Sequence, residues 1–184
     1  TGLLFFLSNG ACNVFCDGLK YIQKNIVEYK VSVFVCVPLL IESMYKKIML
    51  EIDKQGKTKT VKFGLKLSKF LLKFGIDIRR KIFKPILDQL GGNIRFIVSG
   101  AAAIDKKVAE AFNDFGILTV QGYGLTETSP VLIAENEKCI KYGSVGVPLY
   151  NVEIKIDNPN EEGIGEIVTK GENTMTGYYK NPKA

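Results

Sequence analysis

Through the first two thirds of the sequence, short β-branched and aromatic runs alternate with stretches of helical spacing, and that alternation restricts the chain to a few layered folds. Residues 11–16 read as a strand, Leu19, Ile22, Ile26 and Val27 recur at helical spacing, and 31–37 reads as a second strand closed by Pro38. Helices are predicted over 39–52, about 60–74 and 78–90, the last ended by Gly91-Gly92. A strand then follows at 94–98, Asp105 caps a helix to Phe115, and 117–121 returns as a strand. Strands separated by helices pair in parallel, so the expected fold is α/β, a mainly parallel sheet flanked by helices.

After about Pro130 the pattern changes. Residues 152–156 alternate apolar and charged, Asn158-Pro159-Asn160 makes a turn, and 165–170 alternate again. These are expected to be antiparallel strands, with Glu161-Glu162 at a solvated hairpin tip and Asp157 at a strand end. The predicted organisation is an α/β subdomain over 1–134 and the start of a β-rich, barrel-like subdomain over 135–184. A chain of 184 residues is long enough to bury a real core.

Composition excludes several chemistries. There is no histidine, which removes Ser-His-Asp and Cys-His catalysis and any His-ligated zinc within the chain. Cys12, Cys16, Cys36 and Cys139 form no C-x-x-C pair, so a reduced, cytoplasmic setting is expected, with Cys12 and Cys16 as core residues on one strand face. The longest apolar run, 31–41, is broken by Ser32 and Pro38 and is roughly half the length of a membrane span. No basic segment followed by a cleavage site opens the sequence, and no signal peptide is expected.

The net charge of +6 is local: from Lys46 to Lys84 there are 13 Lys and Arg against Glu51, Asp53 and Asp77, a balance of +10. This lysine-rich block carries no nucleic-acid-binding signature, and no nucleic-acid partner is expected. On a helical wheel Lys62, Lys66, Lys69 and Lys73 fall within about 40° of one line, beside Phe63, Leu67, Phe70, Leu71 and Phe74. Such a helix is expected to bury most of its surface on its own domain, with the lysines solvated. The other reading is that 60–84 rests on an anionic membrane, at the inner face of the cell membrane.

The chemistry-bearing stretch is Q-G-Y-G-L-T-E-T at 121–128, directly after a predicted strand, where open α/β sheets bind ligands. Gly122 and Gly124 would let backbone approach a flat ligand beside the Tyr123 ring, Thr126 offers a hydroxyl, and Glu127 is a hard oxygen ligand suited to Mg²⁺. By itself G-Y-G also fits a strand-ending turn with a half-buried tyrosine. S-G-A-A-A at 99–103 likewise follows a strand end, and the two loops are predicted to face each other.

With G-S-V-G-V-P-L at 143–149 and G-E-I-V-T-K-G at 165–171, followed by G-Y-Y-K-N-P at 177–182, these stretches make the sequence resemble the AMP-forming adenylate synthetases. That superfamily includes acyl-CoA synthetases, luciferases and peptide-synthetase adenylation domains. The resemblance implies that Gly100, Ala101 and Ala102 border an adenine, Tyr123 packs on its face between Gly122 and Gly124, Thr126 contacts the α-phosphate and Glu127 helps hold Mg²⁺. It implies ATP and CoA as co-substrates, and a carboxylate that attacks the α-phosphorus before a thiol displaces AMP. The long stretch from Pro38 to Ser99, with F-G-I-D-I-R-R-K-I-F-K and L-G-G-N-I-R-F, and C-D-G-L-K-Y-I at 16–22 look most like bacterial-type long-chain fatty acyl-CoA synthetases, which makes a fatty acid the expected substrate.

The family's phosphate loop, ribose aspartate and C-terminal lysine have no counterpart in the sequence. The chain is therefore expected to be an internal fragment of the N-terminal domain, silent alone and completed by the remaining parts of its own enzyme. Two alternatives stay open at this level: a non-catalytic nucleotide-binding module of the same fold, and a peripheral membrane-binding domain.

Overall fold

The computed structural model describes residues 2–181, so Pro182, the end of the G-Y-Y-K-N-P motif, lies outside the described residues. The chain forms two compact units, Thr1–Gln121 and Gly122–Ala184.

In the first unit β1 (Val33–Cys36), β2 (Phe96–Ser99) and the start of β3 (Leu118–Tyr123) lie side by side in that order, all parallel. Around them are α1 (Leu4–Ser8), α2 (Ile22–Glu28) entered through a 3₁₀ turn at Leu19–Tyr21, α3 (Pro38–Lys54) and α4 (Thr58–Leu72). Three shorter helices follow, α5 (Arg79–Ile82), α6 (Lys84–Gln89) and α7 (Lys106–Asp114). The mostly parallel sheet flanked by helices is the fold expected from the alternation.

Local chemistry explains the element ends. Pro38 sits in the first turn of α3, where its missing N–H has no intrahelical acceptor to lose. The Asp105 carboxylate accepts the Lys107 amide at 2.7 Å and caps α7. Gly91 has φ +78°, and a Cβ there would stand 3.0 Å from Val27 Cα, so only glycine fits both the turn and the neighbouring helix end. Ile41, Ile94, Ile97, Phe112, Phe115 and Ile117 are fully buried and form the core. The buried Asn113 ties α7 to β3: its amide donates to Thr119 O at 3.0 Å, and its oxygen accepts the Thr119 amide at 3.1 Å.

Three expectations need correction. Residues 11–16 form no strand, because no neighbouring strand supplies a ladder, and Cys12 and Cys16 are exposed rather than in the core. The helix expected over 78–90 is two helices broken at Phe83, since Pro85 has no N–H to give to the carbonyl of Lys81 and its ring crowds that carbonyl. Finally, α4 turns its small residues inward. Gly64 and Ser68 are buried, with a Gly64 Cβ only 3.0 Å from Ile82, while Phe63, Phe70 and Phe74 are more than half exposed. The close approach permitted by Gly64 and Ser68 decides which side of the helix packs. Lys69, exposed as expected, also bridges Glu110 at 3.0 Å and Asp114 at 2.9 Å on α7. The hydrogen bond to Asp114 raises its pKa.

Part of the basic block is structural. Arg79 chelates Asp77 at 2.7 Å and donates to Asn113 O at 2.7 Å; this guanidinium holds the Asp77 carboxyl below its ordinary range. Arg80 donates to three carbonyls, Ile94 at 2.8 Å, Gly92 at 2.9 Å and Gly116 at 3.1 Å. Burial pushes the Cys36 thiol up to about 12. Among the described residues no helix is long and apolar enough to cross a membrane.

In the second unit the last residues of β3 pair antiparallel with β4 (Ile133–Ala134), which pairs with β5 (Val147–Pro148). A hairpin of β6 (Val152–Asp157) and β7 (Glu166–Gly171) follows, in agreement with the alternating pattern. Its turn is held by Asn160 Oδ1, which accepts the amides of Glu162 and Ile164, and Glu161 and Glu162 are exposed there as expected.

Candidate active site

The parallel register places Ser99, the last residue of β2, directly beside Gln121, the last residue of β3 that pairs with it, at the edge where open α/β sheets receive ligands. The loop that leaves β2 is anchored at both ends. Gly100 N donates to Cys36 O at 3.3 Å, and Ile104 N donates to the buried side-chain oxygen of Gln121, also at 3.3 Å. Between these points Ala101 takes a left-handed conformation, φ +70°, which costs a residue with a Cβ about 1 kcal/mol or more, and Ala101, Ala102 and Ala103 are exposed. Beneath them Ser99 is fully buried, and its Oγ has no hydrogen-bond partner.

The three glycines differ in what makes them necessary. A Cβ on Gly124 would overlap the Pro130 carbonyl, and one on Gly122 would stand 3.3 Å from Ile133 O. The chain's own packing thus accounts for Gly124 and leaves Gly122 little room for a side chain, a reason separate from any approach of a flat ligand. A Cβ on Gly100 would meet nothing within 4 Å, so no intramolecular contact demands glycine there.

Tyr123 closes β3, half-buried, with its carbonyl accepting Leu132 N at 2.9 Å. The backbone then makes a 3₁₀ turn at Thr126–Thr128. The buried Thr128 shapes it: its hydroxyl accepts Leu125 N at 3.1 Å and donates to Leu125 O at 3.0 Å. Thr126 is exposed, and Ser129 ends the turn in a left-handed conformation, φ 52°.

Glu127 is held from the segment after β7. Met175 N donates to Glu127 O at 2.8 Å, and the Tyr178 hydroxyl donates to Glu127 Oε1 at 2.6 Å. The amide of Asn173 donates to Thr128 O at 2.8 Å and Val131 O at 3.2 Å. The Tyr178 hydroxyl keeps the Glu127 carboxyl below the ordinary carboxylate range, and the carboxylate in turn pushes the Tyr178 phenol up. Glu127 is therefore an anion at neutral pH. No group of three or more His, Cys, Asp and Glu side chains among the described residues is placed to hold a metal. A single solvent-facing carboxylate suits Mg²⁺ that arrives with phosphate oxygens and water as its other ligands.

A concavity of about 810 Å³ lies along β1 beside Cys16, Ile22, Val33 and Leu40, and includes no motif residue from the two loops. Sequence patterns alone assign no role to Asn173, Thr128 or Tyr178, although Thr128 and Tyr178 lie inside recognised motifs.

The sequence model of the AMP-binding enzyme family matches residues 1–179. The chain belongs to the AMP-binding enzyme family. Among its relatives in that family are two from Arabidopsis thaliana, long chain acyl-CoA synthetase 6, peroxisomal, and long chain acyl-CoA synthetase 3. The first is 31% identical over 183 residues, covering 90% of this chain and 26% of that protein; the second is 30% identical over 181 residues, covering 88% and 27%. A chloroplastic long-chain-fatty-acid–[acyl-carrier-protein] ligase of the same plant is 26% identical over 211 residues, covering 89% of this chain and 29% of its own length. The chain thus spans under a third of these AMP-binding relatives. Its fold matches a benzoate CoA ligase from Burkholderia xenovorans, TM-score 0.62 at 21% identity over 98% of this chain and 32% of that one. It equally matches an anthranilate CoA ligase in complex with anthranoyl-AMP, TM-score 0.62 at 19% identity over 94% and 28%.

Proposed function

We propose that this chain is the central part of an AMP-forming carboxylate–CoA ligase that activates a long-chain fatty acid as its acyl-adenylate and passes the acyl group to CoA. The observation that carries the reading is the pair Ser99 and Gln121, in register where the parallel ladder of β2 and β3 ends, each opening a family motif. Residues 1–134 are read as part of the α/β subdomain and 135–184 as the start of the β-rich one. Names of the plant relatives support the long-chain acid, and one of them leaves CoA in competition with an acyl-carrier protein as acceptor. The free cysteines fit a reduced, cytoplasmic setting.

In this reading Gly100, Ala101 and Ala102 border the adenine, and Tyr123, flanked by Gly122 and Gly124, packs on its face. Thr126 donates its hydroxyl to the α-phosphate, and Glu127 contributes a carboxylate oxygen to Mg²⁺. The fatty-acid carboxylate oxygen attacks the α-phosphorus of ATP and pyrophosphate leaves; the CoA thiol then attacks the acyl carbon and AMP leaves. Bound Mg²⁺ supplies charge neutralisation at the phosphates, and the chain's part is to hold the reactants in line. Acid-dependent exchange of labelled pyrophosphate into ATP by the complete protein tests the proposal. Exchange stimulated by long-chain acids supports it, and no exchange with any carboxylic acid, short or long, overturns it.

The glycines separate ligand approach from packing. Gly100→Ala is expected to keep the unfolding midpoint while weakening ATP binding about tenfold or more, because the added methyl enters open space at the proposed adenine edge. Gly124→Ala is expected to lower the midpoint, since its methyl overlaps the Pro130 carbonyl. Calorimetric ATP titration and thermal unfolding of both variants check the pair, and unaltered ATP affinity for Gly100→Ala counts against the adenine assignment.

A second reading rests on α4 and the turn after it, where Phe63, Phe70 and Phe74 stand exposed beside the exposed Lys62, Lys66 and Lys73. We propose that this face rests on an anionic bilayer, with each lysine near the surface contributing about 1 kcal/mol at physiological salt. Co-sedimentation with phosphatidylserine vesicles is expected at low salt and is expected to vanish when the three lysines become glutamine. Binding indifferent to lipid charge rules the mechanism out.

A further inference from the structure

We propose that Tyr178 is a positioning residue for the metal-binding carboxylate, and that the segment from Asn173 to Tyr178 is the clamp that orients the Glu127 turn. The inference rests on the reading of Glu127 as a Mg²⁺ ligand and adds a residue and a device to it.

Glu127 sits on a short solvent-facing turn, its side chain has three rotatable bonds, and the local donor to its carboxylate is its own backbone amide, so a second donor from outside the turn is what narrows the orientation further. The clamp supplies what the turn lacks. Four hydrogen bonds cross to it from beyond β7: Met175 N to the Glu127 carbonyl at 2.8 Å, Asn173 Nδ2 to the Thr128 and Val131 carbonyls at 2.8 and 3.2 Å, and Tyr178 Oη to Glu127 Oε1 at 2.6 Å. Two fix the backbone of the turn, the bond to Val131 holds the segment just after it, and the fourth fixes the side chain. Gly171 leaves room for Asn173 in this position, since a Cβ there would stand 2.5 Å from its Oδ1.

The chemical type of the donor matters. A lysine or arginine at position 178 would pair with Glu127 and compete with a cation for it. A phenol O–H occupies one lone pair of one oxygen, leaves the group anionic and keeps the remaining lone pairs for a metal. Outer hydrogen bonds of this kind orient ligating carboxylates, and their loss typically costs 10–100-fold in metal affinity.

The experiment is the affinity of the complete protein for Mn²⁺·ATP and, separately, for ATP with chelator present, in wild type, Tyr178→Phe, Glu127→Ala and the double variant. Tyr178→Phe removes one oxygen from an exposed ring and leaves the fold. The expected result is that it weakens Mn²⁺·ATP binding at least tenfold, leaves metal-free ATP binding unchanged, and has no further effect once Glu127 is alanine. It is also expected to raise the Mg²⁺ concentration for half-maximal pyrophosphate exchange by a similar factor, with the fatty-acid KM unaltered. A merely structural role for Tyr178 would lower both nucleotide affinities alike and would persist in the Glu127→Ala background; either outcome overturns the inference. Wild-type preference for Mn²⁺·ATP that survives Tyr178→Phe overturns the clamp and leaves the role of Glu127 standing. A wild-type protein with no such preference overturns that role, and the clamp with it.

Discussion

Glu127→Ala is expected to lower acid-dependent pyrophosphate exchange by the complete protein roughly 10²- to 10³-fold, with the unfolding midpoint unchanged. A group that stabilises charge developing on a transferring phosphoryl is worth about 3–4 kcal/mol of barrier. The fold is spared because the carboxylate faces solvent and is held by the Tyr178 hydroxyl, while the backbone of the turn keeps its bonds to Asn173 and Met175. Glu127→Gln separates charge from shape, since it retains an oxygen for the Tyr178 hydroxyl and loses the anion. It is expected to fall nearly as far as alanine. Exchange at the wild-type rate in either variant would remove Glu127 from the reaction.

Arg80→Ala is expected to cost the first unit about 3 kcal/mol, an effect of stability rather than chemistry. Its guanidinium donates to the carbonyls of Ile94, Gly92 and Gly116, at the entry to β2, the turn before it and the turn between α7 and β3. Removal leaves three acceptors with one partner fewer. It also opens space where the side chain lies so close to Gly116 that a Cβ on that glycine would meet Arg80 Cγ at 2.8 Å. Arg80→Lys is expected to recover little, because one ammonium cannot reach carbonyls spread along a planar fork. Amide hydrogen exchange across β2 and α7 checks this. Protection equal to wild type in Arg80→Ala would show the three bonds to be replaceable by water.

Much of the α/β unit is legible in the amino-acid order. The apolar periodicities of α3 and α7, the β-branched runs of β1 and β2, and the end signals Pro38, Asp105 and Gly91-Gly92 act within a few residues, so the same residues that suggest an element also enforce it. The family motifs are legible for the same reason: Q-G-Y-G-L-T-E-T is contiguous, and its backbone is shaped from within by Thr128 and Leu125. Pro85 is visible too, and its consequence, the break at Phe83, follows from the sequence alone once the acceptor it cannot serve is counted.

What only the tertiary structure decided involves partners far apart in the chain. Residues 11–16 have a strand's composition and no neighbour to pair with; α4 is apolar on a broad arc, yet Gly64 and Ser68 determine which side packs. Lys69 belongs to a lysine stripe that does not announce its partners Glu110 and Asp114 on α7, and Arg79 and Arg80 belong to a basic block that does not announce the carbonyls they reach on distant turns and helix ends. Gly124 looks like a glycine kept for a ligand until Pro130 is seen in the space a methyl would need. The clamp on Glu127 joins positions 51 residues apart through a tyrosine hydroxyl. The sequence by itself determined most elements of the α/β unit and their parallel pairing, and it offered the residues proposed to do chemistry, because these depend on short-range backbone preference and side-chain type. Which side each element buries, which charges are spoken for and how the carboxylate is aimed depend on distances between residues remote in sequence, and those distances exist only once the chain has packed.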